Sequence, residues 1–131
     1  MRITDYFIYP INKVFEISYN CYKRFQLAKL RSKLGYIGTS SEIVWPTSAT
    51  SPENVYIGNN VSILQNSRLD VYPDKGENGN IRIGDNTYIC YNFTAMGENI
   101  DIGKDVIIAS DVMICSHNHG MNPKSSLSYS N

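Results

Sequence analysis

From Ile37 onward, aliphatic side chains return at every sixth position: Ile37 and Ile43, then Ile57, Ile63 and Leu69, then Ile83 and Ile89, then Ile102, Ile108 and Ile114. Four of these open the same dipeptide, Ile37-Gly38, Ile57-Gly58, Ile83-Gly84 and Ile102-Gly103, and a small or β-branched residue follows four positions later at Ser41, Val61, Ser67, Thr87, Val106 and Val112. A period of six suits neither a helix nor a plain alternating strand. It predicts a short strand plus a turn, repeated so that one aliphatic per unit points inward and stacks on its counterpart in the next layer. Three units make one triangular coil. The Ile-Gly openings are 20, 26 and 19 residues apart, which is 18 plus a remainder that can leave the coil as a corner loop. The largest remainder falls on residues 72 to 80, Tyr-Pro-Asp-Lys-Gly-Glu-Asn-Gly-Asn, which carry turn chemistry throughout. Asn59-Asn60, Asp85-Asn86 and Lys104-Asp105 fall at corners, where Asn and Asp tolerate left-handed backbone. A β-sandwich with coincident spacing is the competing reading, and the four matched Ile-Gly openings count against it.

Before the lattice the periodicity changes. Residues 12 to 34 contain no Gly or Pro, and Val14, Phe15, Ile17, Cys21, Tyr22, Phe25, Leu27, Leu30 and Leu34 fall near helical spacing. This predicts an amphipathic helix with Pro10 just ahead of it and Gly35 just after it. A thin prism needs a cap or a partner, so the apolar stripe is expected to cover the first coil or a neighbouring subunit. The alternative is a basic face, with Lys13, Lys23, Arg24, Lys29, Arg31 and Lys33, resting on an anionic membrane surface. The segments expected are a helical piece at 1–35, a coil domain at 36–120 and a polar, poorly ordered tail at 121–131.

Composition sharpens this division. The 131 residues carry 12 Lys/Arg against 12 Asp/Glu, for a formal net charge of zero. Residues 1 to 33 hold seven of the basic residues and two of the acids, leaving five and ten for the rest. Neutrality gives no electrostatic footprint for nucleic acid. Cys21, Cys90 and Cys115 are an odd set without metal spacing, no apolar signal segment precedes them, and no apolar run approaches the ~18 residues of a spanning helix. The expectation is a cytoplasmic protein, at most peripheral to a membrane.

These residues resemble the hexapeptide-repeat acyltransferase superfamily, and the resemblance implies a mainly β fold, a left-handed parallel β-helix preceded by an amphipathic helix. Within that superfamily the stretch from Ile102 to Gly120, ending Ile114-Cys115-Ser116-His117-Asn118-His119-Gly120, looks like the catalytic coil of sugar and polysaccharide O-acetyltransferases. The resemblance covers roughly residues 34 to 123 and implies a homotrimer with active sites in clefts between prisms. Each cleft takes acetyl-CoA from one side and an acceptor hydroxyl, here expected on a sugar or lipid-linked glycan, from the other. Family domains continue with further coils that carry much of the CoA pocket, so the chain reads as C-terminally truncated, with its CoA-contacting residues unassigned.

An alcohol attacks a thioester only if a base accepts its proton, and imidazole, with an unperturbed pKa of ~6.5, suits that task near neutral pH. The chain has two histidines, His117 and His119. His117 follows the last lattice aliphatic by three residues, as the catalytic base does in the family, and is taken as that base. His119 and Asn92 are expected on the acceptor side. Asn92, in Cys90-Tyr91-Asn92-Phe93, matches an active-site Asn of galactoside-type members, with a simple turn residue as the equal alternative. Cys115 is read as a small core or corner residue. No metal is expected: a γ-type carbonic anhydrase needs three zinc-binding histidines, and His117 and His119 with Asp111 are no strong ligand set. Competing functions are a non-catalytic assembly module and a small-molecule (serine or antibiotic) acetyltransferase.

Overall fold

The computed structural model describes residues 3–72 and 79–116, with side chains from Ile8 onward. It contains one helix, α1 (Ile3–Arg31), and twelve strands: β1 (Tyr36–Ile37), β2 (Glu42–Ile43), β3 (Thr47–Thr50), β4 (Val55–Ile57), β5 (Ser62–Ile63), β6 (Ser67–Val71), β7 (Asn80–Ile83), β8 (Tyr88–Ile89), β9 (Thr94–Gly97), β10 (Asn99–Ile102), β11 (Ile107–Ile108) and β12 (Met113–Cys115). Every third strand joins the same sheet. The three parallel sheets run β1-β4-β7-β10, β2-β5-β8-β11 and β3-β6-β9-β12, the architecture of a left-handed parallel β-helix. Four coils are stacked, and the register pairs the lattice residues directly: Ile37 with Ile57, Ile57 with Ile83, Ile83 with Ile102, Ile63 with Ile89.

The lattice aliphatics are the core. Ile43, Ile57, Ile63, Leu69, Ile83, Ile89, Ile102 and Ile108 are buried, and Ile37 and Ile114 pack half-buried at the two ends. The third sheet holds two lattice positions that the aliphatic pattern passed over. Ala49, Leu69, Ala95 and Ile114 form one inward column, and the space beside the short Ala95 goes with the fully buried Phe93, two residues earlier. The small positions carry hydroxyls that are buried with their hydrogen bonds made: Ser41 Oγ donates to Gly58 O at 2.7 Å and accepts from Val61 N at 3.0 Å, Ser67 Oγ donates to Leu64 O at 2.7 Å, and Thr87 Oγ1 donates to Gly103 O at 3.1 Å.

Corners are built as their residues predict. Ser40, Asn60, Asn86 and Asp105 sit at φ between 54° and 59° on one edge of the prism, and Asn66, Asn92 and Asp111 at 59° to 63° on the next. Short polar side chains meet this left-handed requirement at low cost and then bond one another up the stack, Asn60 to Asn86 and Asn86 to Asp105, both at 3.0 Å. Three of the four Ile-Gly glycines, Gly38, Gly58 and Gly84, serve close approach. A Cβ on Gly84 would stand 2.6 Å from Lys104 N and 2.7 Å from Gly103 C, the backbone of the next coil. Gly84→Ala is therefore expected to lower stability by about 1–3 kcal/mol, as overpacking does. Gly103→Ala, whose nearest described neighbour is Val106 Cγ2 at 3.9 Å, should cost much less, and paired urea titrations measure the difference.

The helix differs from the sequence expectation. It starts well before Asn12 and runs through Pro10; proline's fixed φ is a helical value, so continuation costs one ladder bond and local crowding rather than a stop. It ends at Arg31 rather than Leu34, and Gly35 is required by packing, since its N–H donates to Pro52 O at 3.1 Å and a Cβ would run into Glu53 O and the Tyr56 ring. Capping is limited to the end of the segment: Leu27, Leu30 and Leu34 pack against the core, and Tyr22 meets Trp45 edge-on with centroids 5.8 Å apart. A 3-10 turn at Pro52–Asn54 takes up extra residues of the first coil, while most of the segment expected to leave the coil at 72–80 lies outside the described residues.

Candidate functional site

His117 and His119 lie outside the described residues, as do residues 73–78 and the tail at 121–131. The strand that leads to His117 is well defined. β12 pairs with β9, Met113 with Thr94, Ile114 with Ala95 and Cys115 with Met96. Beyond it, Ser116 N donates to Met96 O at 3.0 Å, and Ser116 Oγ accepts from Glu98 N at 3.0 Å. The last residue before His117 is thus tied to the third coil by two hydrogen bonds, one made by its main chain and one by its side chain.

Asn92 stands at the opposite edge of the same sheet. It occupies a left-handed corner with φ 59°, donates its backbone N–H to Gln65 O at 3.2 Å, and donates through Nδ2 to Asp111 Oδ1 at 2.9 Å. The corner role weighed from sequence is thus present in the structure, and Asp111 is engaged there as well. From Asp111 to Ser116 the chain runs five residues along β12, roughly 16 Å at the rise of a parallel strand. Within one copy, Asn92 and the approach to His117 are at opposite ends of the sheet's width.

Between them lies the outer face of β3-β6-β9-β12, whose chemistry the sequence reading passed over. Strand alternation turns Arg68 and Asp70 outward on either side of the buried Leu69. Asp70 is nonetheless buried: its carboxylate is ion-paired with the Arg68 guanidinium and accepts from Thr50 Oγ1 at 3.0 Å. Arg68 keeps 55% of its side chain exposed and borders a cleft of about 300 Å³ lined by Trp45, Pro46, Ser48 and Asn66. The available signal was the alternation Arg-Leu-Asp around a lattice aliphatic, a pattern that also describes an ordinary solvated strand. The buried carboxylate holds a half-exposed guanidinium in place on this face, as a pair of compensated charge. Cys115 is exposed at the far end of the face, not in the core. Its strand is the outermost of the described sheet, and an outward register position there is open to solvent. Among the described residues, no three His, Cys, Asp or Glu side chains gather as a metal site.

No protein-family model matches the chain, and no curated protein or solved structure matches it. The relation to known proteins therefore rests on the coil: the fold is consistent with hexapeptide-repeat acyltransferases generally, and the fold type is associated with acyl-CoA-using enzymes.

Proposed function

We propose that this protein transfers an acetyl group from acetyl-CoA to a hydroxyl of a saccharide, with His117 as general base, in a cleft completed by a second copy within a homotrimer. The single observation that carries the reading is the anchoring of Ser116: the residue attached directly to His117 is held to Met96 and Glu98 at the edge of a regular sheet, the kind of rigid support a base needs to keep its geometry. The separation of Asn92 from Ser116 across the sheet's width suits a shared cleft to which two adjacent copies each contribute one of the two residues.

In the reaction the acceptor hydroxyl gives its proton to the imidazole of His117 as its oxygen bonds to the thioester carbonyl carbon. The tetrahedral oxyanion is stabilised by N–H donors, the C–S bond then breaks, and the thiolate leaves with the proton from the imidazolium. The products are an acetyl ester and the CoA thiol, and the base returns to its starting form. Asn92 and His119 are assigned to the acceptor side. A cell-surface polysaccharide or its precursor is the proposed acceptor class, and a cytoplasmic location follows from the need for acetyl-CoA.

The test is transfer of radiolabelled acetyl from acetyl-CoA to saccharide acceptors, with small alcohols such as serine in parallel. Label in a saccharide ester supports the proposal, label in serine alone moves the acceptor class, and trimerisation without any transfer favours an assembly role. Asn92→Gly separates two roles of that residue. Glycine satisfies the left-handed corner, so the melting temperature should stay within about 2–4 °C of the parent, while the acceptor KM rises if the amide touches the acceptor.

A further inference from the structure

The first two thirds of α1 lie off the prism. Its packing side is short, Leu27 and Leu30 near the C-terminal end with Leu34 just beyond. Ahead of them, Ile8, Ile11, Val14, Phe15, Tyr19, Tyr22 and Phe25 are each 51% to 70% exposed. At 100° per residue these seven fall within one arc of roughly 140°. Leu27 and Leu30 point about a quarter-turn or more away from the middle of that arc, so most of the exposed stripe lies off the face that caps the first coil, and Tyr22, edge-on at Trp45, marks where the two meet. An apolar stripe of this length is not left in water without a reason, and an unsupported helix is marginal there.

We infer that this face seats α1 on an anionic lipid surface, with the N-terminal part of the helix lying in the interface and its basic end against the headgroups. Charge complementarity selects this occupant. Lys23, Arg24, Lys29 and Lys33 follow one another where the helix meets the prism, beside Arg31, whose guanidinium donates to Ser41 O at 3.1 Å, and on the helical wheel Lys29 continues the line of Ile8, Phe15 and Tyr22. Among residues 8 to 22 the charged side chains are Lys13 and Glu16, joined at 3.5 Å, so the free half of the helix carries almost no net charge. An apolar and aromatic stripe along one side, with cations toward one end of the helix, matches a helix lying in a membrane interface. A second copy fits less well: a heptad seam through Ile8, Ile11, Phe15, Tyr22 and Phe25 places Ser18 and Lys29 at core positions. No helix among the described residues is long and apolar enough to cross a membrane, which leaves α1 lying on the surface.

Flotation of the full chain with vesicles of phosphatidylcholine alone and of phosphatidylcholine mixed with phosphatidylglycerol tests this. Binding is expected to the anionic vesicles, to weaken as salt is raised, and to fall at least about tenfold in Phe15→Glu. Arg24→Gln with Lys29→Gln should lower it about 25-fold, at about fivefold per cation. Phe15 lies clear of Leu27, Leu30 and Leu34, whereas Arg24 borders the cleft beside Leu27 and Lys29 the cleft beside Leu30, so the second variant is read together with a check on the cap. Emission of the single Trp45, which packs on Tyr22 at the joint, reports in lipid-free solution that the cap is intact, and indifference of Ile17→Glu, off the stripe, shows that the face and not the helix at large is read. Absence of binding to anionic vesicles overturns the inference, as does binding that Phe15→Glu leaves unchanged. Self-association lost in Phe15→Glu without vesicle binding assigns the stripe to a second copy instead. None of these outcomes depends on acetyl transfer.

Discussion

His117→Ala is expected to lower acetyl transfer by about 10²- to 10⁴-fold, the contribution of a positioned general base, while leaving coil, register and melting temperature as they are. The expectation follows from the chemistry of the acceptor. An alcohol must shed its proton as it attacks, and His117 is the imidazole that follows directly on the anchored Ser116 at this sheet edge. Loss should appear mainly in kcat, with the acceptor KM nearly unchanged, since the imidazole acts in the transition state more than in binding. Activity of the parent should fall on the acid side as the imidazole protonates, and the residual activity of the variant should lose that limb. An unchanged turnover number, or transfer that disappears in His119→Ala instead, reassigns the base. Circular dichroism of both variants keeps a folding defect from being mistaken for a chemical one.

Phe93→Ala is expected to cost about 3–5 kcal/mol of stability, the usual range for a large buried aromatic. Phe93 is the largest fully buried side chain of the described core, and it sits at the start of the third coil's last side, where the lattice position proper is Ala95. Removing the ring leaves a void flanked by alanine on its own coil, and the neighbouring coils cannot collapse into it because their backbones are held in register by the ladder bonds. Urea or thermal unfolding measures the loss. Recovery by the double substitution Phe93→Ala with Ala95→Leu would show that volume, rather than the ring itself, is what the site requires.

Most of the fold was legible in the sequence because a coil of this kind repeats one local instruction. Ile57, Ile83 and Ile102 occur at equivalent points of successive coils, so the chain states its own register, and the Asn and Asp of the corners state where the backbone turns left-handed. What was missed follows from side-chain size. Ala49 and Ala95 occupy lattice positions without standing out among aliphatics, and Phe93 fills space from a position where small or β-branched residues are the rule. The helix was misplaced at both ends because Pro10 and Gly35 each carry two meanings: proline is a poor continuation yet has a helical φ, and glycine marks a helix end or, as here, a close approach by Glu53 and Tyr56. The candidate site was less legible. His117 stood out through scarcity, there being two histidines in the chain, whereas Arg68 and Asp70 become distinctive only once burial and the bond from Thr50 are known. Asn92 carried its ambiguity into the structure, where the corner geometry accounts for its backbone and for the amide N–H₂ it gives to Asp111.

Every ladder pairing in the prism joins residues 19, 20 or 26 positions apart, as Ile83 with Ile102, Ile37 with Ile57 and Ile57 with Ile83 show. Among the described residues no strand waits for a distant part of the chain, so each turn of the spiral can add to the one before it, and a corner connection can lengthen at little thermodynamic penalty, about 0.6 kcal/mol for each doubling. Selection is then free to rewrite the outward positions and the excursions almost at will, provided the spacing survives. Ancestry in such a molecule is recorded in rhythm more than in residue identity.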